Sequence, residues 1–288
     1  MIVKPSVGAA LNLDHPLAQG LVACFLLAEG SGVRTVDSSG MWNGAASALG
    51  YTGGLLENFS DPGTSSSGWY GSAQGGGLVF DGSNDQVDCG NADILNPPGE
   101  FTIIAWCRPA ASQQNKAIVA KYAAGSAARA WALTTDTGAS STKVSFFYQR
   151  TGGSFTAGDA LTSATALSTS ALSQVACVFV PSTSATIYIN GAQDAQDTTD
   201  IQAAIASTTA KMYMGRSVDG STLFSGEINS VMVYRRALSA EEIAFLYAYP
   251  YCMFDEPDYP PWLYAVATFN AAWNVSANTM IQPGALQA

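Results

Sequence analysis

The sequence predicts an all-β protein, an antiparallel β-sandwich followed by one short C-terminal helix and an extended C-terminal tail. Three observations carry that expectation. Apolar runs are short and separated by clusters of Gly, Ser, Asn and Asp, the residues that supply positive φ and local side-chain hydrogen bonds in turns. Asn190-Gly191 between two such runs is a strong two-residue hairpin signal. A helix start appears at one late point, Ser239-Ala240-Glu241-Glu242, which has the form of a capping box. The expected organisation is an arm over 1–12, the sandwich over 13–248 and a Pro- and aromatic-rich tail over 249–288.

Taken in order, His15 to Leu27 reads as a turn feeding a buried strand, closed by the glycines and serines that follow. The stretch 44–77 is rich in Gly and Ser and carries Tyr51, Trp69 and Tyr70. It reads as a long excursion over the domain, with short strands at most. Leu78-Val79-Phe80, the turn Asp81-Gly82-Ser83-Asn84-Asp85 and Gln86 to Cys89 make a hairpin. In Phe101 to Arg108 both alternating sets are largely apolar, which places this strand in the middle of a sheet with both faces covered. Further strands are expected at Ala117–Lys121, Ala130–Thr134, Lys143–Tyr148, Ser173–Val180, Ala185–Ile189, Lys211–Gly215 and Glu227–Tyr234. In the last, Ile228, Val231 and Val233 share a face only if a bulge lies near Asn229. A helix to about Ala248 presents Ile243, Leu246 and Tyr247 on one face.

Composition narrows the function. The chain has 288 residues, 48% of them hydrophobic and 12% charged, so a large core is affordable and the surface relies on uncharged polar side chains. A net charge of −10 with 12 scattered Lys and Arg argues against nucleic acid as a partner. No apolar run approaches a membrane span and no signal segment opens the chain, so membrane insertion is not expected and synthesis in a host cytoplasm is. The five cysteines, Cys24, Cys89, Cys107, Cys177 and Cys252, show no metal-ligand spacing and read as reduced core residues. With one histidine, His15, neither a catalytic triad nor an imidazole zinc site can be built readily. No strand carries the paired carboxylates of a glycosidase. Non-enzymatic binding is therefore expected.

Three motifs in order carry a family resemblance. They are G-L-V-x-x-F-x-L-x-E-G-S-G with D-x-S-G-x-x-N-G over 20–44, F-D-G-S-N-D-x-V with E-F-T-I-x-A-W over 80–106, and R-A-L-S-x-E-E-I over 236–243. The stretch from about His15 to Tyr247 resembles a laminin G-like module of the concanavalin A-like lectin and glucanase superfamily. The resemblance implies a jelly-roll sandwich and a lectin-like role. It also implies a structural Ca²⁺, with Glu29, Asp37, Asp81 and Asn229 as the matching positions; Asn229 stands where relatives commonly have Asp, and loss of that charge would weaken the site.

Sugar binding needs aromatic platforms flanked by polar groups. Trp131, Tyr148 and Arg150 are candidates for a shared concave face, and Trp42, Trp69 and Tyr70 for a loop site, with core packing the alternative for each. After the helix, Y-P-Y-x-x-F over 249–254 resembles laminin G-like proteins of tailed-phage particles. Tyr249, Tyr251, Phe254, Tyr259, Trp262 and Tyr264 are then expected to dock the tail on its own sandwich or on a neighbouring subunit, since disordered segments are poor in aromatics. The resulting expectation is a lectin-like decoration or tail-associated component of a virion surface that binds glycans or host polysaccharide, assembles with other virion subunits and forms a homo-oligomer. A purely structural decoration protein and a polysaccharide-degrading enzyme are the alternatives.

Overall fold

The computed structural model describes residues 4–5, 9–39, 53–61, 63–71, 76–122, 129–149, 160–217 and 222–255. Strands are numbered in chain order. The front sheet runs β12 (Ala160–Thr162), β11 (Val144–Tyr148), β10 (Arg129–Thr135), β9 (Ala117–Tyr122), β16 (Met212–Met214), β7 (Gln86–Asp88), β4 (Gly53–Glu57) and β3 (Arg34–Val36). The back sheet runs β15 (Ala192–Asp197), β14 (Ser184–Ile189), β13 (Ser173–Val180), β8 (Phe101–Pro109), β17 (Ser225–Tyr234), β6 (Gly77–Asp81) and β5 (Gly68–Tyr70), with β2 (Leu21–Phe25) also paired to β17. The ladders within both sheets are antiparallel, which makes the fold the expected sandwich.

The core between the sheets is built from alternate residues of both, among them Phe101, Ile103, Trp131, Phe146, Tyr148, Phe179 and Val231. A second core covers the outer face of the back sheet. There Ile104, Trp106, Ala176 and Met232 meet Ile243 and Leu246 of helix α1 (Ala240–Ala248). Strand β8 is thus buried on both sides, as its two apolar sets require. The helix starts where the sequence says: the Ser239 hydroxyl accepts from the Glu242 amide and the Glu242 carboxylate accepts from the Ser239 amide. Tyr247 departs from expectation, because it lies 45% exposed while Ile243 and Leu246 alone of the predicted face are buried. Between β14 and β15, Asn190 and Gly191 both take positive φ, 51° and 80°, the geometry a two-residue turn needs to match strand twist.

The register of β17 against β8 shifts between Ile228 and Ser230, the bulge anticipated at Asn229. It lets Ile228, Val231 and Val233 all enter the inner core. His15 is structural: its Nδ1 accepts from the Leu17 amide and caps a 3-10 turn over Pro16–Ala18. The end of the arm and the first tail residues belong to the folded body. β1 (Ala10–Leu11) pairs with β18 (Phe254–Asp255), and Tyr251, Met253 and Phe254 are buried in the second core. This small pair, a separate two-stranded sheet, lies on either side of the 13–248 stretch in sequence. Tyr251 and Phe254 dock on their own chain, which removes them from a surface that could hold another subunit, and Tyr249 is 49% exposed. Tyr259, Trp262 and Tyr264 lie outside the described residues.

Candidate functional site

On the front sheet, successive cross-strand partners run Phe147, Ala132, Ala120, Tyr213, Asp88, Leu55 and Arg34. Their strand neighbours Phe146, Leu133, Val119, Met214, Val87 and Leu56 fill the inner core, so strict alternation sends this row to the outer face. Two alanines between two half-buried aromatics make a trough. Phe147 and Tyr213 are three strand spacings apart, about 14 Å. Ala117, Ala120 and Ala132 form its floor, with Tyr122 and Phe147 packed against them.

A cleft of about 120 Å³ opens at one end, lined by Asn115, Tyr122, Ala132, Thr134, Phe147, Ser217 and Thr222. Its chemistry is mixed. Tyr122 and Phe147 offer ring surface, Ala132 keeps the floor low, and the rest contribute hydroxyls and an amide. Asn115 holds a left-handed backbone, φ 50°, with its amide donating to Asp136 O at 2.8 Å. The Thr134 hydroxyl donates to Thr135 O at 2.8 Å, which leaves its oxygen free to accept. The Arg129 guanidinium stands 5.0 Å from the Tyr122 ring centre, adding a cationic edge. Among the described residues that line the cleft none carries a carboxylate.

Farther along the same face the groups are charged and mutually tied. Lys211 pairs with Asp88 at 2.5 Å, Gln86 donates to Glu57, and Arg216 donates to Gln86 while lying over the Tyr213 ring. Burial and Asp88 together push the Tyr213 hydroxyl above its ordinary pKa, while the Asp88 partnership raises Lys211.

The sugar platforms expected from sequence fall elsewhere. Trp131 and Tyr148 are paired across β10 and β11, so they do share a face, but it is the inner one. Trp131 is 0% exposed, packs on Phe101 at 5.1 Å and donates its indole N–H to Leu95 O. Tyr148 is 2% exposed and packs between Phe146 and Phe179. Neither can present a ring to solvent. Trp69 is also a core residue, its indole donating to Gly32 O at 2.7 Å, so it pins strand β5 to the sandwich. Tyr70 is half-buried on the back sheet, where burial and Glu227 raise its hydroxyl pKa. Trp42 and Arg150 lie outside the described residues. Of the residues missed, Ala132 and Phe147 are the immediate neighbours of Trp131 and Tyr148 and differ from them only in strand parity, while Tyr122 and Thr134 lie farther along the same trough. The signal that could have found them is the pair of small residues, Ala120 and Ala132, on one face of adjacent strands.

The four positions matched to calcium do not combine into one site. Glu29 Oε1 accepts from the Val36 amide at 2.7 Å and from the Thr35 hydroxyl. Asp37 accepts from the Cys24 amide at 2.6 Å and from Ser39 through amide and hydroxyl, and burial raises its pKa despite these bonds. Asp81 caps its own turn through the Ser83 and Asn84 amides. Asn229 Nδ2 donates to Gly76 O and its Oδ1 accepts from Tyr251. Among the described residues no three His, Cys, Asp or Glu side chains gather as a metal group. The donor set as it stands does not fit a calcium ion.

No curated protein matches the chain in sequence. Solved structures of similar fold include domain 4 of a GH43 extracellular arabinanase from Geobacillus stearothermophilus, in complex with arabinotriose. It is 15% identical with a TM-score of 0.54 over 78% of this chain and 97% of that domain. The binding domain of Paraclostridial Mosquitocidal Protein 1 is 13% identical, TM-score 0.57, over 80% of this chain and 52% of that one. Trypanosoma rangeli sialidase is 15% identical, TM-score 0.53, over 79% of this chain and 33% of that one. The chain thus spans about half of the toxin domain and a third of the sialidase. Residues 81–244, more than half of the sequence, match the family description directly. With the fold, the motifs and this match in agreement, the chain belongs to the concanavalin A-like lectin/glucanases superfamily.

Proposed function

We propose that the protein is a non-enzymatic, lectin-like module that binds glycans in the outer-face trough of its front sheet. The observation that carries this reading is the cleft between Tyr122 and Phe147, with an alanine floor and a rim of Asn115, Thr134, Ser217 and Thr222. Such a surface offers ring planes to the apolar face of a sugar and hydroxyl or amide partners to its edge. At about 120 Å³ it takes a single ring or the side of a chain. Affinity for one ring is therefore weak, of the order of 1 mM, or roughly 4 kcal/mol. The described lining offers rings, hydroxyls and an amide, groups suited to holding a sugar, whereas glycoside cleavage uses two carboxyl groups flanking the bond. Domain 4 of the arabinanase, solved with arabinotriose, lends weight to a carbohydrate ligand.

The same reading puts the protein on a virion surface as a decoration or tail-associated subunit, assembled as a homo-oligomer through residues beyond 255. Its support is the weakly charged polar composition and the aromatic segment holding Tyr259, Trp262 and Tyr264. Purified particles that lack the protein would overturn that part.

A glycan array with the full chain tests the binding itself, because residues 251–254 belong to the folded core and a truncation at 248 would damage it. The expected result is binding that Phe147→Ala or Tyr122→Ala weakens about tenfold, equal to about 1.4 kcal/mol. A folded sample that binds no glycan, or whose binding both variants leave intact, sinks the assignment. Release of reducing ends from a bound glycan would establish the enzyme reading instead.

A further inference from the structure

Strand β17 changes partner half-way along one edge. Ser225–Ile228 pair with β6 and Val231–Tyr234 with β2, while β8 follows the other edge throughout. Asn229, the bulge, sits at the fork. The chain enters β6 through Gly76 and leaves β2 toward Leu27, so the carbonyls of Leu27, Gly76 and Asn229 all lie at the fork, within reach of one side chain. Buried carbonyls need donors.

The donor comes from the arm. Lys4, 5% exposed, sends Nζ to Asn229 O at 2.7 Å, Gly76 O at 3.0 Å and Leu27 O at 3.4 Å. Three N–H bonds meet three acceptors, the full capacity of an ammonium. Leu27 takes φ 52°, an uncommon conformation for a non-glycine residue, and so aims its carbonyl into the fork. Glu29 supplies the counter-charge: it is the carboxylate that attracts Lys4, and its Oε2 is buried without a hydrogen-bond donor. Asn229 also fits a single positive charge, since Nδ2 donates to Gly76 O, a contact an aspartate could make only as a clash of two oxygens. Two of the four positions matched to calcium, Glu29 and Asn229, therefore surround an ammonium.

We propose that Lys4 is a tethered cation, whose ammonium fills an oxygen-lined hole at the fork of β17 and takes the place of a free metal ion there. The chain is then calcium-independent by construction, and removing the Lys4 side chain exposes a cation site made of Leu27 O, Gly76 O, Asn229 O and Glu29.

The test compares the full chain with Lys4→Ala and Lys4→Met by thermal unfolding, with calcium chloride and with chelator. Burial lowers the Lys4 pKa to about 7 against the pull of Glu29, so the scans are run near pH 6, where the ammonium form predominates. The unaltered chain should show the same Tm in both conditions. Both variants should melt roughly 5–15 °C lower, because the three hydrogen bonds of the buried ammonium and its attraction to Glu29 are lost. Calcium should restore part of the loss in Lys4→Ala and none in Lys4→Met, whose side chain still fills the hole. A calcium-dependent Tm in the unaltered chain overturns the proposal, as does a folded Lys4→Ala indifferent to calcium. If Lys4→Ala folds in neither condition, amine labelling of the unaltered chain decides. Lys4 should react at least tenfold more slowly than Lys116 and Lys143, and equal rates overturn the proposal.

Discussion

The two faces of the front sheet are made from interleaved residues of the same strands and have opposite fates. Trp131 and Tyr148 point inward and are sealed; Ala132 and Phe147, one position away on each strand, line an open cleft. A strand has a period of two, so an error of one residue exchanges the entire set. The larger ring went to the core and the smaller residue made the trough. An aromatic on a strand of this family is therefore evidence about a sugar site only after its parity is known.

Substitutions can break that comparison, beginning where the effect is largest. Trp131→Ala should cost about 3–5 kcal/mol, since it empties a fully enclosed volume; urea unfolding that showed less than about 1 kcal/mol would mean the indole is not a core group. The inner layers also carry the thiols Cys24, Cys89, Cys107 and Cys177, all buried and free. Burial raises their pKa values, Cys107 to about 12, so the folded state keeps its protons after the unfolded chain has lost them. This stabilisation is complete below pH 9 and falls as pH rises toward the folded values, by up to roughly 1.4 kcal/mol per pH unit for each thiol. Cys107→Ala should flatten the alkaline limb of stability against pH by about one proton, and an unchanged slope would contradict the assignment.

On the outer face the consequences shift from folding to binding. Phe147→Ala should weaken glycan binding about tenfold while lowering stability by under about 1 kcal/mol, as measured by calorimetric titration and urea unfolding of the same sample. Ala132→Leu sharpens the contrast, because it fills the cleft from its floor and should block binding with little effect on melting. Smallest of all, Tyr249→Ala should change neither quantity measurably, its ring being half exposed outside both cores.

Much of the fold was legible because it rests on local chemistry. The Asn190-Gly191 turn, the Ser239 capping box, the doubly apolar β8 and the bulge at Asn229 are each encoded within a few residues of where they act. The site was less legible for a physical reason. Phe146-Phe147-Tyr148 is apolar on both faces, so no alternation distinguishes core from cleft until neighbouring strands are placed. Lys4 was invisible for another: its acceptors lie 23, 72 and 225 positions away, and nothing about Met1-Ile2-Val3-Lys4-Pro5 announces a buried charge. The metal positions carried by the family motifs were individually present and individually employed in turns and strand ends, which sequence alone does not separate from a shared ligand sphere.

The pairing of β1 with β18 has a bearing on how the molecule is displayed. Leu11 and Phe254 pack on the second core, so the described chain ends on the back layer. The cleft opens on the outer face of the front layer. Under the proposed attachment through residues beyond 255, the cleft lies on the layer opposite the point where the described chain ends, so that attachment and binding would use different faces of the molecule.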